Sequence, residues 1–169
     1  MFKTCLLLAL FFFCCSKINA NSSSQEKLEL VGESKLSFLF WDIYDIKLFA
    51  KAGKYIDKQL PIRLELKYQR EISSEELVDE TNKQWERFEL DIERKKDWLN
   101  QLKDIWPNVK ESDIISFHID SQNHTWFYFN KNFIGKIEDQ EFSRHFSLIW
   151  LDINGAYPKI TKQLLGDKH

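Results

Sequence analysis

Apolar and polar residues alternate along the first half of the chain, which is the pattern of half-buried β-strands. On either side of Gly32 the apolar positions are Leu28, Leu30, Leu36, Phe38 and Phe40. This arrangement predicts two strands joined by a turn at Gly32. The alternation changes phase near Asp42, and a β-bulge there would account for the change. After a turn at residues 52–54, the segment 62–68 alternates cleanly and predicts a further strand. Its apolar, inward face consists of Ile62, Leu64, Leu66 and Tyr68.

The spacing of apolar residues becomes helical after residue 72. Ser73 and Glu76 form the sequence pattern of a capping box, which predicts the start of a helix. Leu77, Thr81, Trp85 and Phe88 follow at helical intervals. A second helix is predicted from about Asp91, and Pro107 ends it after Trp106. The charged residues 93–97 of this helix indicate a face exposed to solvent.

Three short alternating segments follow, at residues 115–119, 126–129 and 133–137, with turn sequences between them. They predict an antiparallel meander. Asp139 can cap a helix that carries Phe142, Phe146 and Trp150 on one side. Pro158 predicts the start of a last helix and Gly166 its end. The sequence therefore predicts an α+β fold, in which helices cover one face of an antiparallel sheet.

The first twenty residues have the layout of a secretory signal peptide. Lys3 precedes an unbroken apolar run, and a short polar stretch leads to Ala20. We expect cleavage after Ala20, a disordered polar leader at residues 21–26, and one domain at residues 27–169. The expected location is the periplasm, with secretion as the alternative. The apolar run is too short to span a bilayer, so we expect no stable membrane span.

The composition of the exported chain argues against several kinds of functional site. All three cysteines lie in the predicted signal peptide, so no disulfide or cysteine-based metal site is expected after cleavage. The four histidines are scattered without the spacing of metal ligands, and we expect neither a metal nor a cofactor. A net charge of −2 does not indicate binding to nucleic acid. The 14 Phe and six Trp fill a core or line an apolar pocket, and composition does not separate these uses.

Four segments resemble the bacterial chalcone isomerase-like proteins. They are VGESKLSFLFWDIYDIKLFA at 31–50, LKYQREI at 66–72, FYFN and FIG between 127 and 135, and FSLIWLD at 146–152. Their order and spacing agree with the family from about Leu28 to Gly166. The resemblance implies an open-faced β-sandwich, in which an apolar cleft separates the antiparallel sheet from a layer of helices.

The resemblance does not extend to the catalytic residues of the plant isomerases. Those enzymes surround their substrate with an arginine, two threonines, a tyrosine and an asparagine. The arginine position falls at Leu36, and the two threonine positions fall at Tyr44 and near Ile149. The tyrosine and asparagine positions fall near Ser74 and Glu80. None keeps the residue type, although Lys35 lies beside the arginine position. Because cyclising a chalcone requires a fixed cation and oriented donors, we expect no chalcone isomerase activity, and the chain is more in keeping with a binding protein than an enzyme.

The leading hypothesis is a non-catalytic exported protein that binds an apolar or amphipathic molecule in the cleft. Some relatives in this family bind fatty acids, which makes a fatty acid the example. The residues proposed for the polar end of the ligand are Lys35, Tyr44 and Arg70. The candidates for the apolar wall are Phe38, Phe40, Trp85 and Trp150, although large apolar residues more often belong to the core.

Two other hypotheses stay open. One is a cell-envelope module that binds a partner protein and fills the cleft with its own side chains. The other is an isomerase or lyase of unknown substrate. The sequence identifies no partner protein.

Overall fold

Six strands form one antiparallel sheet in the computed structural model, which describes residues 27–166. The strands are β1 (Leu28–Phe38), β2 (Trp41–Lys51), β3 (Ile62–Tyr68), β4 (Ile114–Ile119), β5 (Thr125–Phe129) and β6 (Asn132–Ile137). Each strand pairs with the next one in the sequence, so the sheet order is β1 to β6. The predicted signal peptide and leader lie outside the described residues.

The structure contains four helices between residues 27 and 166, each at a place where the sequence predicted one. They are α1 (Ser74–Trp85), α2 (Ile92–Ile105), α3 (Gln140–Leu151) and α4 (Pro158–Leu164). The capping box at Ser73 is present, and the carboxylates of Asp91 and Asp139 cap α2 and α3. Helix α1 ends at Trp85, so Phe88 follows the helix rather than belonging to it. Among the described residues, no helix has the length and apolar character needed to span a membrane.

The helices cover one face of the sheet, and the core lies between the two layers. On β3 the inward residues are buried and the alternating residues Arg63, Glu65 and Lys67 face outward. Phenylalanine and tryptophan side chains of α1, α2 and α3 complete the core from the other side. The predicted α+β fold with an open-faced sheet is therefore confirmed.

The predicted turn at Gly32 is wrong, because β1 continues through this residue. Leu30 pairs with Phe49 and Gly32 with Leu48, so Val31 is an extra residue in the ladder. The glycine serves a close approach instead: a Cβ atom there would overlap the carbonyl oxygen of Gln163, at the end of α4. The turn that joins the first two strands lies at residues 39–40, and a second bulge occurs beside Asp42, as predicted.

We expect Gly32→Ala to lower the free energy of unfolding by about 1–3 kcal/mol, the usual cost of overpacking. The added methyl group would also lie 2.7 Å from the carbonyl oxygen of Leu164, so α4 would have to shift. Urea titration measures the change. Glu33→Ala on the exposed side of the same strand is the control, and an equal effect of the two substitutions would contradict the close contact.

Candidate functional site: an apolar cleft between sheet and helices

A cleft of about 560 Å³ separates the sheet from α1 and α3. Its floor consists of inward residues of β1 to β4, and its walls are α1, α3 and Trp106. This volume lies within the range of small-molecule sites, which are concave and mostly apolar. The cleft therefore lies where the family resemblance implied one.

Two tyrosines lie side by side on the floor of the cleft. Tyr44 on β2 pairs directly with Tyr68 on β3, and the ring centroids are 5.8 Å apart. The indole nitrogen of Trp150 donates a hydrogen bond of 2.9 Å to the hydroxyl oxygen of Tyr44. Burial raises the pKa of both tyrosines above the ordinary value. Both side chains thus remain neutral hydroxyl donors at physiological pH.

Aromatic rings hold these residues in place. Trp150 packs against Phe117 and Phe146, each at 5.3 Å between ring centroids. Phe146 also contacts Trp106 at 5.9 Å. All four rings belong to residues that line the cleft. The back of the cleft is therefore a packed aromatic cluster, and only part of it is open space.

The rim of the cleft on α1 is acidic. Glu80 accepts a hydrogen bond of 2.8 Å from the side-chain amide of Gln84, and the Tyr157 hydroxyl lies 3.4 Å from the same carboxylate oxygen. Burial, together with the charge of Glu80, raises the pKa of Tyr157. The charged residues that line the cleft are Glu76, Asp79, Glu80 and Lys83. The local charge is thus negative.

Helix α1 is fastened at both ends. At its start, the Ser74 amide donates to the side-chain oxygen of Asn108 at 2.9 Å, in addition to the capping box. Just beyond its end, Arg87 donates 2.8 Å hydrogen bonds to the Asp152 carboxylate and to the carbonyl of Leu148. The wall of the cleft is therefore tied to the loop after α2 and to the end of α3.

Three of the seven residues proposed from the sequence line the cleft: Tyr44, Trp150 and Phe38. Trp85 is fully buried elsewhere, among Trp98, Phe142 and Phe146, and it donates to the carbonyl of His145. It therefore belongs to the core between the helices.

The two proposed cations lie outside the cleft. Lys35 forms ion pairs with Asp42 at 2.6 Å and Asp45 at 3.8 Å, and it lines a more polar depression of about 1080 Å³ beside β1. Hydrogen bonding and charge raise the pKa of Lys35 and lower that of Asp42. Arg70 is exposed, and its Nε donates to the carbonyl of Glu71. Neither residue lines the cleft.

Phe40 is the most exposed large apolar residue between residues 27 and 166, at 98%. It belongs to the tip of the β1–β2 hairpin, residues 38–41, which we call the apolar tip. The other exposed fractions are 67% for Phe38, 78% for Leu39 and 64% for Trp41. Phe40 thus lies neither in the core nor in the cleft wall. Phe38 alone belongs to both the apolar tip and the cleft.

Sequence reasoning did not select Tyr68 and Trp106 for the site. Both are more than nine-tenths buried and line the cleft. The strand pattern had already placed Tyr68 on the inward face of β3, where a hydroxyl needs a partner. Among the described residues, no group of three or more histidine, cysteine or acidic side chains is arranged to hold a metal ion.

A model of the chalcone isomerase-like family matches residues 18–166. The chain belongs to this family. Four of the five positions aligned with plant catalytic residues line the cleft, namely Leu36, Tyr44, Glu80 and Ile149. The chalcone isomerase-like cleft is therefore present, with a different set of side chains.

Two similar proteins give further context. An uncharacterized protein of Haemophilus influenzae is 26% identical over 136 residues, which are 80% of this chain and 67% of that protein. The crystal structure of the Arabidopsis thaliana fatty-acid binding protein AtFAP1 has a TM-score of 0.57 with this chain. That comparison covers 83% of this chain and 87% of the plant chain at 13% identity. This likeness shows the fold.

Proposed function

We propose that this chalcone isomerase-like chain is a non-catalytic protein that binds an apolar or amphipathic small molecule, such as a fatty acid. The observation that carries the proposal is the cleft of about 560 Å³, which has an aromatic back and a predominantly apolar surface. The fold that it shares with a plant fatty-acid binding protein supports the same function.

Extraction of the purified protein under denaturing conditions, followed by mass spectrometry, tests this proposal. We expect a retained apolar molecule in stoichiometric amount. Leu77→Trp would fill the cleft from α1 and should reduce the amount retained, whereas Glu93→Trp on the exposed side of α2 should not. If no apolar molecule is retained and none binds on titration, a cleft filled by side chains is the better hypothesis.

We expect chalcone cyclisation at no more than the spontaneous rate. Leu36 occupies the position of the arginine, and neither Tyr44 nor Ile149 reproduces the threonines. An absorbance assay with a chalcone measures the rate, with boiled protein as the control. A rate clearly above the spontaneous one that Tyr44→Phe abolishes would contradict a non-catalytic role.

We also propose export to the periplasm, with cleavage after Ala20. The proposal rests on Lys3, the apolar run and the small residue at the expected cleavage position. N-terminal sequencing of the protein from a periplasmic fraction should begin at Asn21. A mature chain that still begins at Met1 would contradict this proposal.

A further inference from the structure

Two hydroxyl groups in the cleft lack an acceptor. The hydroxyl of Tyr68 forms no hydrogen bond with any described residue, and that of Tyr44 accepts from Trp150 but donates to none of them. The indole nitrogen of Trp106 is also buried without a partner. All three side chains are more than nine-tenths buried and line the cleft. Two hydroxyl donors that line the cleft without an acceptor, together with the buried nitrogen of Trp106, favour a ligand that supplies an acceptor oxygen.

The charges around the cleft do not favour an anionic acceptor. Among the described residues that line it, Lys83 is the one cation, and its Nζ lies 3.8 Å from the carboxylate of Glu80. The ionisable residues facing the cleft are Glu76, Asp79, Glu80 and Lys83 from α1, Tyr44 from β2, Tyr68 from β3 and Tyr157 from the segment before α4. The cleft-lining residues of β1, β4 and α3 are all uncharged. A carboxylate beside the two tyrosines would thus be desolvated without a cation.

We propose that the cleft binds the polar end of its ligand in an uncharged form, with a carbonyl oxygen accepting hydrogen bonds from Tyr44 and Tyr68. The ligand class is a long-chain amide, ester or ketone, or a fatty acid in its protonated form. This inference rests on the proposed binding function and specifies its head-group chemistry. A fatty acid therefore binds with its carboxyl pKa raised, because the cleft stabilises the neutral form alone.

The test compares dodecanoic acid with dodecanamide, which differ in the charge of the head group. Displacement of the neutral fluorophore N-phenyl-1-naphthylamine from the full chain gives both dissociation constants. At pH 7.5 we expect the amide to bind at least tenfold more tightly than the acid. Between pH 6 and 8 the affinity for the acid should fall about tenfold per pH unit, while that for the amide stays constant.

Tyr68→Phe should weaken binding of the amide by about twofold to tenfold, the usual effect of one neutral hydrogen bond. Tyr44→Phe should act similarly, although it also removes the acceptor of Trp150. Lys103→Ala on the exposed side of α2, the control, should leave binding of the amide unchanged. Tighter binding of the acid that depends on Lys83, or no effect of Tyr68→Phe, would overturn the head-group assignment and leave the proposed function intact. If neither the two ligands nor the fluorophore binds, both the head-group assignment and the proposed binding function are overturned.

The apolar tip, residues 38–41, supports a second and independent inference. Four large apolar side chains project from a two-residue turn, and Leu39 adopts a positive φ of 55°. Positions of this kind usually carry glycine or asparagine, since bulky residues are strained there. Packing does not explain Leu39, Phe40 and Trp41, and the backbone geometry disfavours Leu39, which together indicate a binding role.

The size of the apolar tip favours a lipid bilayer over a protein as its partner. A stable protein interface buries about 800 Å² on each side, more than four side chains at the end of a hairpin offer. Apolar side chains that enter the boundary of a bilayer need to reach only about 5–10 Å, and tryptophan favours that boundary. We infer that the apolar tip inserts into a lipid surface. Because Phe38 also lines the cleft, the tip would bring the cleft close to the bilayer.

Sedimentation of the full chain with phosphatidylcholine vesicles tests this inference. We expect the wild-type protein to sediment with the vesicles, and Leu39→Ser with Phe40→Ser to weaken partitioning at least tenfold, given the apolar area that each residue buries. Ile92→Ser, which changes an equally exposed residue on α2, is the control and should have little effect. Absence of vesicle binding, an equal effect of Ile92→Ser, or self-association through the tip in lipid-free solution would overturn the inference.

Discussion

Replacing Trp150 with alanine is expected to lower the free energy of unfolding by about 3–5 kcal/mol, the usual cost of truncating a buried aromatic side chain. Trp150 is 6% exposed and packs against Phe117 and Phe146 between α3 and the sheet. Its loss would also leave the hydroxyl of Tyr44 without its donor. Chemical denaturation followed by circular dichroism measures the change.

Trp41 provides a matched control, because it is a tryptophan that is 64% exposed. Trp41→Ala should change the free energy of unfolding by no more than about 0.5 kcal/mol. Trp150→Phe keeps much of the ring packing and should have an intermediate effect. An unfolding midpoint that Trp150→Ala leaves unchanged would mean that this face of α3 does not pack on the sheet.

Phe146→Ala should have an effect of similar size, about 3–5 kcal/mol. Phe146 is fully buried near the centre of the aromatic cluster. Its ring contacts those of Trp85, Trp106, Phe117, Phe127, Phe142 and Trp150. Truncation would therefore leave a cavity that several rigid neighbours cannot fill.

The half-exposed Phe133 is the control for this substitution, since it contacts only Trp126 and Tyr128 among the described aromatic rings. Phe133→Ala should cost less than about 1 kcal/mol. Because Phe146 and Trp150 are in contact, the double substitution should differ from the sum of the single effects. Exact additivity would show that the two rings do not share one packed cluster.

The sequence was sufficient for most of the strands and helices because their signals are local. Residues 62–68 alternate without interruption, and burial in the structure follows the same period. Ser73 with Glu76, Asp91 and Asp139 each predicted a helix start from nearby hydrogen-bonding groups, and each cap is present. Such signals do not depend on distant parts of the chain.

The errors occurred where a distant contact decided the structure. Gly32 has the composition of a turn, but its missing side chain makes room for α4, more than 120 residues later in the sequence. The actual turn at Leu39 and Phe40 has no glycine, asparagine or proline to mark it. Local propensity therefore predicted the break in the wrong place.

The arrangement of the cleft could be predicted only in part. Tyr44 and Trp150 meet through a hydrogen bond between residues 106 positions apart, and a pattern along the sequence does not contain that distance. The position of Lys35 outside the cleft was easier to predict, because its neighbour Leu36 lines the cleft and adjacent strand residues face opposite sides. Tyr68 was recognised as inward-facing, but its free hydroxyl became visible only with its surroundings.

The hydrogen bonds at the two ends of α1 affect how fast a bound molecule would enter and leave the cleft. Asn108 and the capping box hold the start of this wall, and Arg87 holds the chain just after its end. Lifting the helix would break both sets of hydrogen bonds. Phe38 and Tyr157 line the cleft and are at least partly exposed, and we call this side of the cleft its mouth. Rotation of either side chain breaks few hydrogen bonds. Side-chain rotation takes picoseconds to nanoseconds when exposed, and displacement of a helix takes microseconds or longer. Entry and exit are thus expected to follow the mouth, with the sheet and helix layers remaining together throughout.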